Sequence, residues 1–203
     1  MKMFLPRFFS ILFHPLLTVF YAVLLIFYSG HYLWLLDSQM FYALLIIFFA
    51  LTFVLPLIII PFLYYQQFIP DLLLKKRESR FSVYLSIAIL YLVSSFLIYK
   101  FSFPLLLKNI MIISTAIVVI ITITNKIYHI STHAISVGVL TGLLLFMGIQ
   151  YNVPLKTEIM ILFLVGGIVS SSRLALGYHK PHEIYTGFTG GFVIMLAGMF
   201  LLT

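Results

Sequence analysis

Residues 81–124 read FSVYLSIAILYLVSSFLIYKFSFPLLLKNIMIISTAIVVIITIT. Two apolar runs, about 81–99 and 104–124, are joined only by Lys100-Phe101-Ser102-Phe103-Pro104. Each has the length of one helical bilayer crossing, about 20 residues. So short a joint forces the second to return antiparallel to the first. Barrel strands are excluded, because they read as alternating segments of about 10 residues, not as continuous apolar runs. Working outward, further runs fall at about 8–28, 41–65, 133–150, 158–178 and 184–202. The fold class expected is therefore all-α: a polytopic transmembrane helical bundle of six to seven spans, seven preferred, forming one membrane-embedded domain over 1–203. Pro56 and Pro61 should kink the second span. Lys108, one turn inside the fourth, can snorkel to the interface.

Composition agrees. Of 203 residues, 63% are hydrophobic and 8% charged, and the mean hydropathy is +1.18. Soluble globular chains carry about 25% charged residues, so this one has too little polar surface for water. A soluble enzyme, a disordered chain and a secreted disulfide scaffold are all excluded. The chain has no cysteine, which removes thiol catalysis and thiolate metal sites. The net charge of +7 fits headgroup contacts and topology signals, or a site for an anion. Nucleic acid is not an expected partner, since no exposed basic domain carries the charge. The run after Arg7 contains His14-Pro15, with no small-residue cleavage site following. It reads as a first span, not a removed signal.

Polar residues gather in three connections: Asp71 to Arg80, Asn125 to His133, and Arg173 to Glu183. Two spans lie between the first and second clusters and two more between the second and third. An even number of crossings returns the chain to its starting side, so all three can converge on one site. In the third cluster, Arg173 sits at a span end, where an ionised group needs a partner or ligand. Pro181 disfavours helix at Lys180 and suits the first turn of the next helix, which puts His179 at the bend and Glu183 just inside that helix. A carboxylate there can hold one imidazole nitrogen and leave the other nucleophilic. An interfacial anchor of Arg, Tyr, His and Lys is the alternative reading.

In the second cluster, Ser131 is placed to cap the fifth span, and a helix N-terminus can seat phosphate. His133, in that first turn, can donate a proton to a leaving oxygen. An ordinary cap plus an interfacial histidine remains open. In the first cluster, Arg77 and Arg80 share a helix face, and two guanidinium forks can grip phosphate oxygens bidentately. Lys75 and Lys76 read better as a loop that fixes orientation.

Together these residues resemble the type 2 phosphatidic acid phosphatase superfamily of membrane phosphatases. Its third motif, Ser-Arg, five residues, His, three residues, Asp, is matched by Ser172-Arg173, His179 and Glu183, with Glu for Asp. Its second, Pro-Ser-Gly-His, is echoed by Ile130-Ser131-Thr132-His133. Its first, Lys, six residues, Arg-Pro, has no counterpart in that form, and Arg77 and Arg80 stand in its place. The likeness covers about residues 70–200. It implies a lipid phosphatase, a phosphoric ester or diphosphate hydrolase, that needs no metal or cofactor. His179 would form a phosphohistidine, Glu183 would orient it, and His133 would protonate the departing group. Arg173, Arg77, Arg80, Ser131 and Thr132 would hold the phosphoryl oxygens. The partners implied are a lipid phosphate substrate and membrane lipids.

Two other readings stay open. One is a zinc hydrolase using His133, His179, His182 and Glu183. The other is a non-catalytic lipid-phosphate binding or transport protein on the same scaffold. Short loops suggest a multi-pass protein of a bacterial cytoplasmic membrane. The positive-inside count and the family's outward-facing site point to opposite sides, so the side is left open.

Overall fold

The computed structural model describes residues 4–29, 37–69 and 77–203, the side chains of Arg77 and Glu78 excepted. Among these the regular structure is helical throughout, and the chain is an all-α polytopic bundle. The helices are α1 (Phe4–Leu12), α2 (Thr18–Tyr28), α3 (Ser38–Phe49), α4 (Leu55–Tyr65), α5 (Arg77–Lys100), α6 (Leu105–Thr124), α7 (Thr132–Gln150), α8 (Lys156–Ala175) and α9 (Pro181–Leu202). With α1 and α2 taken as one segment and α3 and α4 as another, seven segments among the described residues are long and apolar enough to cross a membrane. Asp71 to Lys76 of the first polar cluster lie outside the described residues.

In the second span, where the prolines predict a kink, a π-helical turn, Ala50–Val54, stands between α3 and α4, and Pro61 lies inside α4. Pro56 has no N–H to give the carbonyl of Thr52. That carbonyl instead accepts from the Tyr91 hydroxyl of α5 at 3.4 Å. The α5–α6 joint is one residue shorter than the sequence suggests, 101–104, because Lys100 is still helical. Lys108 Nζ lies 5.4 Å from the centre of the Tyr99 ring, near the end of α5.

Helix α7 is the axis of the bundle, and most of its side chains are buried. Apolar residues in lipid gain little from leaving it, so close contact between helices carries the association. The α7–α9 pair is built for that contact. Gly138 and Gly142 on α7, and Gly187 and Gly191 on α9, each sit where an added Cβ would run into a backbone atom of the opposite helix or its leading residues. Two GxxxG faces thus interlock, and this fixes the N-terminal ends of α7 and α9 side by side. Ser131 N–H donates to the Glu183 carbonyl at 3.2 Å across the junction.

Candidate functional site

The bend carrying His179 is set by local chain chemistry. Gly177 takes φ +68°, a left-handed conformation that costs glycine nothing. This closes α8 with the N–H of Gly177 on the Leu174 carbonyl at 2.9 Å and that of Tyr178 on the Arg173 carbonyl at 3.2 Å. Lys180 then stands in extended backbone before Pro181 opens α9. Glu183 Oε2 turns back to accept from the Lys180 N–H at 3.0 Å and from His179 Nδ1 at 3.0 Å. A carboxylate only accepts, so Nδ1 of neutral His179 carries the proton and Nε2 keeps its lone pair. The His179 side chain is 5% exposed. Burial is the largest influence on its pKa and lowers it from 6.5. The Glu183 hydrogen bond pulls the other way, and the charges of His129 and Arg173 lower it further.

His129 joins this pair, a residue that the sequence reading passed over. Its ring lies 4.4 Å from that of His179, and its Nδ1 is 3.8 Å from the same Glu183 oxygen. Its Nε2 accepts from Arg80 Nη1 at 3.4 Å. The chain Arg80–His129–Glu183–His179 therefore ties the starts of α5 and α9 through the loop before α7. The one sequence signal for His129 was its place in the second polar cluster. Nothing in its spacing distinguished it from an interfacial histidine.

These groups ring the polar end of a cavity of about 590 Å³. Arg80, His129, Thr132, His133, Arg173 and His179 line that end. Arg173 lies over the Tyr178 ring at 4.6 Å. Its Nε and that of Arg80 are buried with no hydrogen-bond partner among the described residues. The hydroxyls of Thr132 and Tyr84 pair with each other. Toward the bundle interior the lining turns apolar, with Ile87, Ile117 and Val139, and Tyr91 and Ser114 at depth. From Arg80 to Tyr91 is about 16 Å of helix at 1.5 Å per residue. The cavity thus descends from a cationic, histidine-rich mouth into the span region.

Three expected residues are placed otherwise than the sequence suggested. Ser131 occupies the position before α7, but its side chain makes no cap bond, and Oγ is buried without a partner among the described residues. It does not line the cavity, because it is wedged against Gly187 where α7 meets α9. His133 lines the cavity, yet its Nε2 lies 3.1 Å from the Ser10 carbonyl, and Nδ1 is buried without a hydrogen-bond partner among the described residues. His182 faces away, 5.8 Å from the Tyr128 ring. Arg77 lies in the first turn of α5, and its side chain is outside the described residues.

A residue from the N-terminal segment enters as well. His14, at the break between α1 and α2, lines the cavity with its ring centre 5.9 Å from that of His133. As for metals, ligand atoms of His129, His179 and Glu183 lie within 4.8 Å of one another. Among the described residues that trio, and not the set with His133 and His182, is placed to hold a zinc-like ion. The guanidinium of Arg80 against His129 opposes a second positive charge there. Comparison with protein-family models, with curated proteins and with solved structures gives no match.

Proposed function

We propose that this protein is an integral-membrane lipid phosphatase that removes phosphate from a membrane lipid through a phosphohistidine. The observation that carries the reading is the His179–Glu183 pair at the cationic mouth of a cavity whose depth is apolar. An amphiphile with a phosphate head and a hydrocarbon tail matches both ends at once. The lone pair of His179 Nε2 attacks phosphorus, the bond from phosphorus to the lipid oxygen breaks, and that oxygen keeps the electron pair. The ring becomes cationic while Nδ1–H stays on Glu183, so the carboxylate interacts more strongly with the transition state than with the resting enzyme. Arg80 and Arg173 take the charge on the phosphoryl oxygens. His133 supplies the proton to the leaving oxygen once its ring leaves the Ser10 carbonyl. Water then attacks phosphorus and breaks the phosphorus–nitrogen bond, its proton returning to His133 and the bonding pair to His179 Nε2, which frees phosphate and restores both histidines. The setting that suits this chain is a bacterial cytoplasmic membrane.

A second reading is favoured by the His129–His179–Glu183 trio, namely hydrolysis assisted by a bound zinc-like ion. A phosphate-release panel separates the two. It uses phosphatidic acid, phosphatidylglycerol phosphate and a polyprenyl diphosphate, each with and without chelator. The phosphohistidine reading expects release that survives chelation and stops with vanadate. Loss on chelation with recovery on adding zinc would replace it with the metal reading. No release from any lipid would leave a binding or transport protein.

A further inference from the structure

The first apolar segment enters the mechanism above only through the Ser10 carbonyl, yet it also delivers a histidine to the same cavity. Helix α1 ends at Leu12, and Pro15 opens a short 3-10 turn, Pro15–Leu17. A residue before proline is driven out of helical backbone, and His14 is extended, φ −66° and ψ 137°. In that conformation its ring folds over the turn, and Nδ1 accepts the Leu16 N–H at 3.3 Å. A nitrogen that accepts carries no proton, so neutral His14 holds its hydrogen on Nε2. Among the described residues that Nε2–H has no hydrogen-bond partner. The neighbouring histidine is not equivalent, because the Ser10 carbonyl occupies His133 Nε2 and Nδ1 is buried.

We propose that His14 is a substrate-contacting residue, whose Nε2–H donates a hydrogen bond to an oxygen of a phosphate monoester held between Arg80 and Arg173. The two arginines answer the charge of the anion. A neutral donor of fixed direction selects the orientation of its oxygens, as a backbone N–H does in an oxyanion hole. The turnover part of this inference rests on the phosphatase reading, and the binding part does not.

The test uses the full chain in detergent, with calorimetric binding of inorganic phosphate and turnover of a short-chain lipid phosphate. In His14→Asn the amide oxygen replaces Nδ1 as acceptor for Leu16, while the donor at the Nε2 position is lost. Phosphate affinity should fall about 10-fold and kcat/KM about 10²-fold or more, with an unchanged melting temperature. His14→Gln, whose amide reaches the Nε2 position, should recover most of both. If His14→Asn does not fold, His14→Ala with added imidazole gives the same reading, since a purely structural residue is not rescued by a free donor. Wild-type binding and turnover in His14→Asn, or failure of imidazole to rescue His14→Ala, would overturn the inference and leave the phosphatase reading intact. Phosphate binding that depends on His14 without any turnover would do the reverse. A wild-type protein that binds no phosphate would end both.

Discussion

Replacing Glu183 by Gln isolates the charge of the carboxylate from its shape. In the resting protein Glu183 Oε2 holds the His179 Nδ1–H and the Lys180 N–H, both at 3.0 Å. The amide of Gln keeps an oxygen for both and loses only the charge. When His179 attacks phosphorus its ring turns cationic. A unit charge 3.0 Å away at an effective dielectric of about 20 is worth about 5.5 kcal/mol, or about 4 kcal/mol with the charge spread over the ring. The Glu183 side chain is 12% exposed, and water screens part of this. The remaining loss, about 3–4 kcal/mol, corresponds to a fall in kcat of about 10²- to 10³-fold. Weaker capping of α9 costs at most about 1 kcal/mol, a few degrees in melting temperature. Single-turnover phosphate release, with acid-labile phosphoprotein trapped by alkaline quench, reads the effect directly. A Glu183→Gln protein within about threefold of wild type in both would refute the assignment of Glu183 as the electrostatic partner of the nucleophile.

Other outcomes follow from the same geometry. His179 is held below its ordinary 6.5, so the acid limb of kcat/KM should have its midpoint below 6.5. Because the unfolded chain binds this proton more readily, the stabilising contribution is complete above 6.5. It is lost as pH falls from 6.5 through the folded value, and stability against pH checks the sign. If Arg80 grips phosphate, Arg80→Lys should lower kcat/KM about 10-fold or more, nearly as much as Arg80→Ala, because an ammonium has no fork; a wild-type rate would reduce Arg80 to a topology signal. Gly191→Ala should lower the melting temperature, since its Cβ meets the Ile135 carbonyl, an overpacking cost of about 1–3 kcal/mol. Gly190→Ala meets nothing within 4 Å and should be silent, and equal behaviour of the two would deny that α7 and α9 lock through their glycines.

What the amino-acid order determined by itself is whatever short-range chain geometry controls. The seven apolar segments follow from run length, because a backbone in hydrocarbon must satisfy its own hydrogen bonds. The His179 bend follows from Gly177 before it and Pro181 after it, and the His179–Glu183 contact from a spacing of four across that bend. Even the meeting of the second and third polar clusters was legible, since parity needs only a count of crossings. Which residues of those clusters face the cavity was not legible, because it depends on how each helix is rotated and how deeply it packs. The glycine faces of α7 and α9 draw their ends so close that Ser131 is sealed in the junction, while Thr132 and His133 reach the cavity. His129 gains its place only because the starts of α5 and α9 flank the same loop. His14 lies 165 residues before His179 in the chain, and only the break at Pro15 and the packing of α1 and α2 carry it to the same mouth.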